Sequence, residues 1–191
     1  MITLAFDTAL EKMYVVLRRG GKDGTTLASR VVESTDKRYH SADLIPTIQA
    51  VLRENNITPQ EIDLIATNIG PGSFTGIRAC VTVARVMAQQ IGCKAVGVSS
   101  LEILSKLGEH PLPTMVVLDA RKNSAYVWKD GEISLTPNDE LNTEGYFVID
   151  DNYKTRNAPL GEILAEIAEG RTGHWADLKP LYIQPPSIHG K

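Results

Sequence analysis

The stretch Asn68-Ile-Gly-Pro-Gly-Ser-Phe-Thr-Gly-Ile-Arg78 decides how this chain folds. An apolar run before it, Ile62-Asp-Leu-Ile-Ala-Thr-Asn-Ile69, reads as a strand, and a helical pattern continues from it to about Ile91. Gly70, Pro71 and Gly72 demand a tight strand-to-helix turn, because glycine reaches backbone angles closed to other residues. Ser73 or Thr75 is placed to cap the helix by accepting bonds from its first free N–H groups. Such a turn is also a ready anion cradle, which makes Gly70, Gly72, Ser73 and Gly76 candidate cofactor contacts. Yet the spacing is neither G-x-x-x-x-G-K-[ST] nor G-x-G-x-x-G, and no lysine stands where a phosphate loop needs one. The residues favour a structural turn that fixes how the helix leaves the sheet, and no cofactor is expected.

The helix that follows, about 74–91, is apolar over more than one side. Ile77, Cys80, Val81, Ala84, Met87, Ala88 and Ile91 form a broad face, which Ala79, Val83 and Val86 extend round the cylinder. Only Arg78, Thr82, Arg85 and Gln89 make a polar line. A helix of this kind is buried on two sides, by its own fold or by a partner. An earlier helix, from Ser41 to about Glu54, carries the stripe Leu44, Ile45, Ile48, Val51 and Leu52, with Pro46 near its first turn. Between the two, Thr58-Pro-Gln-Glu61 is a capping box opening a short helix.

The chain opens with Ile2–Phe6, Met13–Leu17 and Thr26–Glu33, an antiparallel meander turned at Gly20-Gly21. Lys94–Val98 is a further strand, and Ser99 caps a helix reaching about Leu107. Pro111 and Pro113 lead into a second half that begins as the first did. Met115-Val-Val-Leu-Asp119-Ala-Arg-Lys-Asn-Ser-Ala-Tyr126 overlays Thr3-Leu-Ala-Phe-Asp7-Thr-Ala-Leu-Glu-Lys-Met-Tyr14 without a gap, Asp on Asp and Tyr on Tyr. The repeat predicts two related lobes, 1–108 and 109–191. The second is cut short to a strand at Tyr146–Ile149, a helix at about Leu160–Glu169 and a proline-bounded tail with Leu181-Tyr-Ile183.

Composition narrows the function. The 191 residues carry a formal charge of −3, which argues against gripping nucleic acid unaided, since phosphate contacts need clustered Lys and Arg. Two cysteines, Cys80 and Cys93, are too few for a disulfide framework or zinc site and read as buried thiols in a reducing compartment. No basic-then-apolar leader opens the sequence, and no apolar run approaches the ~20 residues of a membrane span. The expectation is a cytoplasmic protein without a membrane contact.

Gly70-Pro-Gly-Ser-Phe-Thr-Gly-Ile-Arg78 resembles the signature of the TsaB (YeaZ) family, the non-catalytic partners in bacterial synthesis of threonylcarbamoyladenosine in tRNA. Phe6-Asp-Thr-Ala9, His40-Ser-x3-Ile-Pro46, Gly97-Val-Ser-Ser-Leu101, Asp119-Ala-Arg121 and Pro180-Leu-Tyr-Ile-Gln184 follow in the family's order. The resemblance implies an α/β fold of the actin/hexokinase/Hsp70-like duplicated kind, with a truncated second lobe. It implies as partners a TsaD-like transferase and a TsaE-like ATPase, a homodimer when alone, and tRNA met only within the complex. In that family the subunits pair through the two helices described above. The expected interface is Asp43, Leu44, Thr47, Ile48 and Val51 with Arg78, Thr82, Val83 and Val86.

Departures from active members of this fold point the same way. The first phosphate loop of such members sets Asp beside Gly and Thr, which makes Asp7 a candidate contact; here Ala9 replaces a glycine, and Arg121 is bulky at the matching place in lobe two. The sister TsaD family carries a His-x3-His metal pair on its helix, whereas His40 has no second histidine, so no metal is expected. Asp7 and Asp119 could pair across the lobes, or each could bond its own hairpin turn. The leading expectation is a non-catalytic scaffold that supports the transferase. The alternatives are an acyl- or phosphoryl-transfer enzyme or peptidase, and a sugar-kinase-like nucleotide binder.

Overall fold

The computed structural model describes residues 1–21, 24–33, 40–107, 110–153 and 158–183. The expected boundary at 108–109, the motif end at Gln184, and His189 lie outside them, as does the side chain of His40. The first half runs β1 (Ile2–Asp7), β2 (Met13–Arg19), β3 (Thr25–Val32), α1 (His40–Glu54), a short 3-10 turn, β4 (Leu64–Asn68), α2 (Phe74–Ile91), β5 (Lys94–Val98) and α3 (Ser100–Ser105). Its sheet is ordered β3-β2-β1-β4-β5, antiparallel through β1–β3, with β4 and β5 parallel to β1. The second half runs β6 (Thr114–Asp119), β7 (Ser124–Lys129), β8 (Glu132–Pro137), β9 (Phe147–Asp150) and α4 (Leu160–Glu169). Its sheet, β8-β7-β6-β9 with β9 parallel to β6, repeats the order of β3-β2-β1-β4.

The repeat holds at the level of topology, but the gapless overlay is out by one residue. Asp7 pairs with Tyr14 in the first hairpin, whereas Leu118 pairs with Tyr126 and Asp119 with Ala125 in the second. The side-chain period of a strand is 2, so this slip moves Asp119 to the opposite face of its sheet. The sequence reading also omits β8. Its signal was present, since Asp130-Gly131 takes the positive φ angles of a tight hairpin turn (51° and 90°) between alternating runs. Helix α1 starts at His40, so Pro46 sits in the second turn and not the first. It lies on the exposed side, where water can reach the Ala42 carbonyl that the proline leaves unbonded.

Two large cores, with a small third one of Met115, Ala125 and Val127 on the second sheet, account for the burial among the described residues. On one face of the first sheet, Leu4, Phe6, Met13, Val15 and Leu17 pack against Leu44, Ile48, Val51 and Leu52 of α1 and Ile77, Cys80, Val81, Ala84 and Ala88 of α2. On the other, Ala5, Tyr14, Val16 and Ala66 join α3, α4 and the inner face of the second sheet through Val116 and Ile149. Every residue of β1 is buried, which explains its mostly apolar run, interrupted only by Thr3 before Asp7. The helices interleave across the sequence halves: α4 lies on β1, β2, β4 and β5, while α3 lies on β6 and β7. Gly161 permits this, since a Cβ there would stand 2.6 Å from Val16 Cγ2. Arg18 of β2 reinforces the α4 contact with ion pairs to Glu166 (3.1 Å) and Glu169 (3.2 Å). The C-terminal tail likewise returns to the first lobe: Leu178 is buried in its core and the Leu181 N–H donates to Ile69 O at 2.8 Å.

Leu164 of α4 is fully buried in the core that both sheets share. Leu164→Ala is therefore expected to cost about 2–5 kcal/mol. Trp128 on the second sheet and Trp175 against the first core should report one common denaturant transition, moved to a lower midpoint in the variant. Single-tryptophan fluorescence checks this, and two separate transitions would show lobes that fold independently.

Candidate functional site

The glycine-rich stretch is locked against the first hairpin. A Cβ at residue 72 would stand 2.5 Å from the Ala9 carbonyl oxygen, and one at residue 76 only 2.0 Å from that of Thr8. These glycines are required by close backbone approach, whereas Gly70 is required by its φ of 103°. The N–H groups of the turn are used internally. Gly70 N–H donates to Asn68 Oδ1 (2.8 Å), Ser73 N–H to Ala9 O (2.9 Å) and Gly76 N–H to Ser73 Oγ (3.2 Å). Ser73, not Thr75, is thus the cap. Thr8 Oγ1 donates to Gly76 O at 2.9 Å, and the Thr8 N–H donates to Cys80 Sγ at 3.1 Å. Gly70, Gly72, Ser73 and Gly76, the expected cradle, form this junction: hairpin backbone stands against Gly72 and Gly76, and the N–H groups of Gly70, Ser73 and Gly76 have partners within the chain.

Asp7, the fifth candidate, ends β1 inside the same junction and is only 2% exposed. Its Oδ1 accepts from Ala9 N–H (2.6 Å) and its Oδ2 from Asn68 Nδ2 (2.9 Å), while Asn68 Oδ1 also accepts from Ser100 Oγ (2.9 Å). One asparagine thereby ties β1, the turn and the start of α3. Burial pushes the Asp7 carboxyl up from 3.8 to about 6, against the lowering effect of its hydrogen bonds. Burial, then the Asp7 charge, pushes the Cys80 thiol up to about 12, far from the thiolate a nucleophile requires. Asp119 is exposed and holds its own turn, accepting from the Arg121 N–H at 2.9 Å. The carboxylates therefore do not pair across the lobes. Arg121, Lys122 and Asn123 complete that turn with φ angles of 63°, 52° and 58°.

The two helices divide the expected interface. Leu44, Ile48 and Val51 are buried in the chain's own core, so they are not surface contacts; the resemblance had placed them on the partner surface, and periodicity left open which side of α1 faces the sheet. Exposed on α1 are Asp43, Ile45, Pro46 and Gln49, with Thr47 half-buried. On α2, Phe74 (53% exposed), Arg78, Thr82 and Val86 (54%) recur every four residues as one open line, with Val83 half-buried beside it. Phe74, which periodicity did not single out, carries the Arg78 guanidinium over its ring at 5.3 Å. Among the described residues no helix is long and apolar enough to cross a membrane, and no group of three or more His, Cys, Asp or Glu could hold a metal.

Residues 26–166 match the family model described as TsaD: tRNA N6-adenosine threonylcarbamoyltransferase. The chain belongs to this family. Among its relatives, the tRNA threonylcarbamoyladenosine biosynthesis protein TsaB of Bacillus subtilis (strain 168) is 31% identical over 66% of this chain and 53% of that protein. The TsaB of Haemophilus influenzae is 28% identical over 64% of this chain and 51% of that protein. The chain thus spans about half the length of the curated relatives it matches. YeaZ from Pseudomonas aeruginosa superposes with a TM-score of 0.73 at 22% identity, covering 95% of this chain and 99% of that one. A second structure, described as an uncharacterized protein with similarity to peptidase YEAZ from Pseudomonas aeruginosa, gives 0.70 at 21% identity over 96% and 99%. Both share the fold of this TsaB-like chain.

Two measurements test the junction. A carboxyl raised in the folded state stabilises that state while protonated, and this contribution is lost as pH rises from about 4 to about 6. Relative to Asp7→Asn, the native chain should lose about 2–3 kcal/mol across that window, read from urea melts at pH 4.5 and 7. Gly72→Val should cost about 1–3 kcal/mol, because its Cβ meets the Ala9 carbonyl and not because of a positive φ. An unchanged melting temperature would mean that the hairpin yields without cost.

Proposed function

We propose that this TsaB-like chain is a non-catalytic subunit of the assembly that makes N6-threonylcarbamoyladenosine at position 37 of tRNA. In this reading it docks through α1 and α2 onto a transferase of the matched family, works beside a TsaE-like ATPase, and meets tRNA only within the complex. It needs no cofactor, acts in the cytoplasm, and pairs with itself as a two-fold dimer when alone. The observation that carries the reading is the open, mixed line Phe74–Arg78–Thr82–Val86 on α2, together with the exposed Ile45 of α1. The names of the TsaB relatives support the process, and the filled junction and protonated Cys80 thiol favour a supporting role over a chemical one.

The reading is tested by mixing the purified chain with the transferase of the same genome. Val86→Glu places a charge on the exposed line and should abolish co-sedimentation without lowering the melting temperature. Ile48→Glu, at a buried position, should unfold the chain instead. The chain alone should show no threonylcarbamoyl transfer and no proteolysis. Turnover by the pure protein would favour the enzyme reading, to which the family model's own description as a transferase lends weight.

A further inference from the structure

The C-terminal segment Trp175–Ile183 has no regular secondary structure, yet it is pinned to α2 and the turn before it. Leu178 fills a place in the first core, where Gly97 makes room: a Cβ on that glycine would stand 2.9 Å from Leu178 Cδ1. Arg85 Nη1 donates to Leu178 O at 3.2 Å, and Leu181 N–H donates to Ile69 O at 2.8 Å. Two residues past Pro180 the chain sets Tyr182 beside Phe74, ring centroids 6.4 Å apart and tilted by 37°. Tyr182 is 52% exposed, as Phe74 is 53% exposed, so the pair turns an aromatic face outward where the open line of α2 begins. Arg78 lies over the same Phe74 ring, and among the described residues it has no carboxylate partner.

We infer that Tyr182, held by this strap, is a contact residue of the α1–α2 partner surface and, with Phe74 and Arg78, forms its anchor. The inference rests on the reading given under Proposed function. The occupant is the transferase of the matched family. The family model spans residues 26–166 and so includes α1 and α2, which means a member of that family presents a counterpart of this two-helix face. Where two such faces meet, the Arg78 guanidinium, which has no carboxylate partner among the described residues, is matched by a carboxylate from the other side. This chain itself shows such a group on the equivalent surface, Asp43 of α1. Tyr182 and Arg78 packed against the Phe74 ring supply large rigid area at small entropic cost, the composition of an interface centre. Lying in the tail, Tyr182 makes partner binding depend on the far end of the chain as well as on the helices.

The test is a titration of the full-length chain with the transferase, comparing native protein with Tyr182→Ala, Tyr182→Phe and Val86→Glu. Tyr182→Ala should weaken binding at least about tenfold at an unchanged melting temperature, and Tyr182→Phe should stay within about twofold. If Tyr182→Ala binds within twofold of native while Val86→Glu abolishes binding, the strap is not part of the surface and the functional reading stands. If both variants bind as native, the functional reading falls with it. Should Tyr182→Ala lower the melting temperature, Tyr182→Lys decides, because its stem covers Phe74 while its charge faces outward. Retained affinity in that variant overturns the inference, and a tenfold loss upholds it. Association of the chain with itself in place of the transferase would also overturn the assignment of the occupant.

Discussion

Two backbone carbonyls, those of Thr8 and Ala9, stand where side chains at residues 76 and 72 would otherwise be. The rest of the first lobe depends on that approach. It brings the β1–β2 hairpin under the first turn of α2, takes up the Ser73 N–H at the Ala9 carbonyl, and lets Asp7 reach Asn68. Asn68 in turn holds Ser100 at the start of α3, so one contact sets the directions of two helices. A glycine at each position avoids a steric cost that no side-chain rearrangement could remove, because the opposing atoms are backbone. The energetic consequence is a buried carboxyl, Asp7, kept in place by hydrogen bonds that only partly offset its desolvation.

Much of this was legible before any coordinates. The bounds of α2, the run of β5, the cap at Ser99 and the choice of Ser73 or Thr75 at the head of α2 all follow from local chemistry, which acts within a few residues. The duplicated meander was legible because its alternation repeats. The register of the second hairpin was not, since matching Asp to Asp and Tyr to Tyr fixed identities where strand pairing obeys turn length. Nor was the role of Gly72 and Gly76, because a glycine required by a neighbour distant in sequence looks the same as one required by its own dihedral angles. The interleaving of α3 and α4 lies beyond periodicity for the same reason: a helix's apolar stripe does not say which sheet it covers.

The proposed partner surface shows that limit most sharply. Spacing identifies which residues share a side of a helix, but α2 is apolar on more than one side and the stripe of α1 is broad, and only the position of the sheet decides which part is covered. For α1 the richer stripe, Leu44, Ile48 and Val51, went to the core by the ordinary preference for burying the larger apolar area. What remained outside, Ile45 and Pro46 beside Asp43 and Gln49, is a weaker signal against the background of exposed apolar residues on any protein. For α2, Arg78 and Thr82 read as part of a polar line and Val86 as part of the apolar surface, and the aromatic end at Phe74 becomes evident only once Tyr182 arrives from the tail.

That mixed character sets the kind of association the surface can support. A stripe of apolar residues alone would bind any apolar helix, and its affinity would follow area. With Arg78 in the middle of the line, a partner that supplies no carboxylate must bury an unpaired guanidinium, and the loss of its hydration opposes the apolar gain. Stacking over Phe74 compensates part of that cost in the free chain and keeps the guanidinium plane oriented. The surface therefore discriminates by penalty as well as by attraction, at the expense of affinity. In the proposed role this is the balance a subunit needs: it must recognise one relative among proteins of the same fold, yet remain stable and folded when that relative is absent.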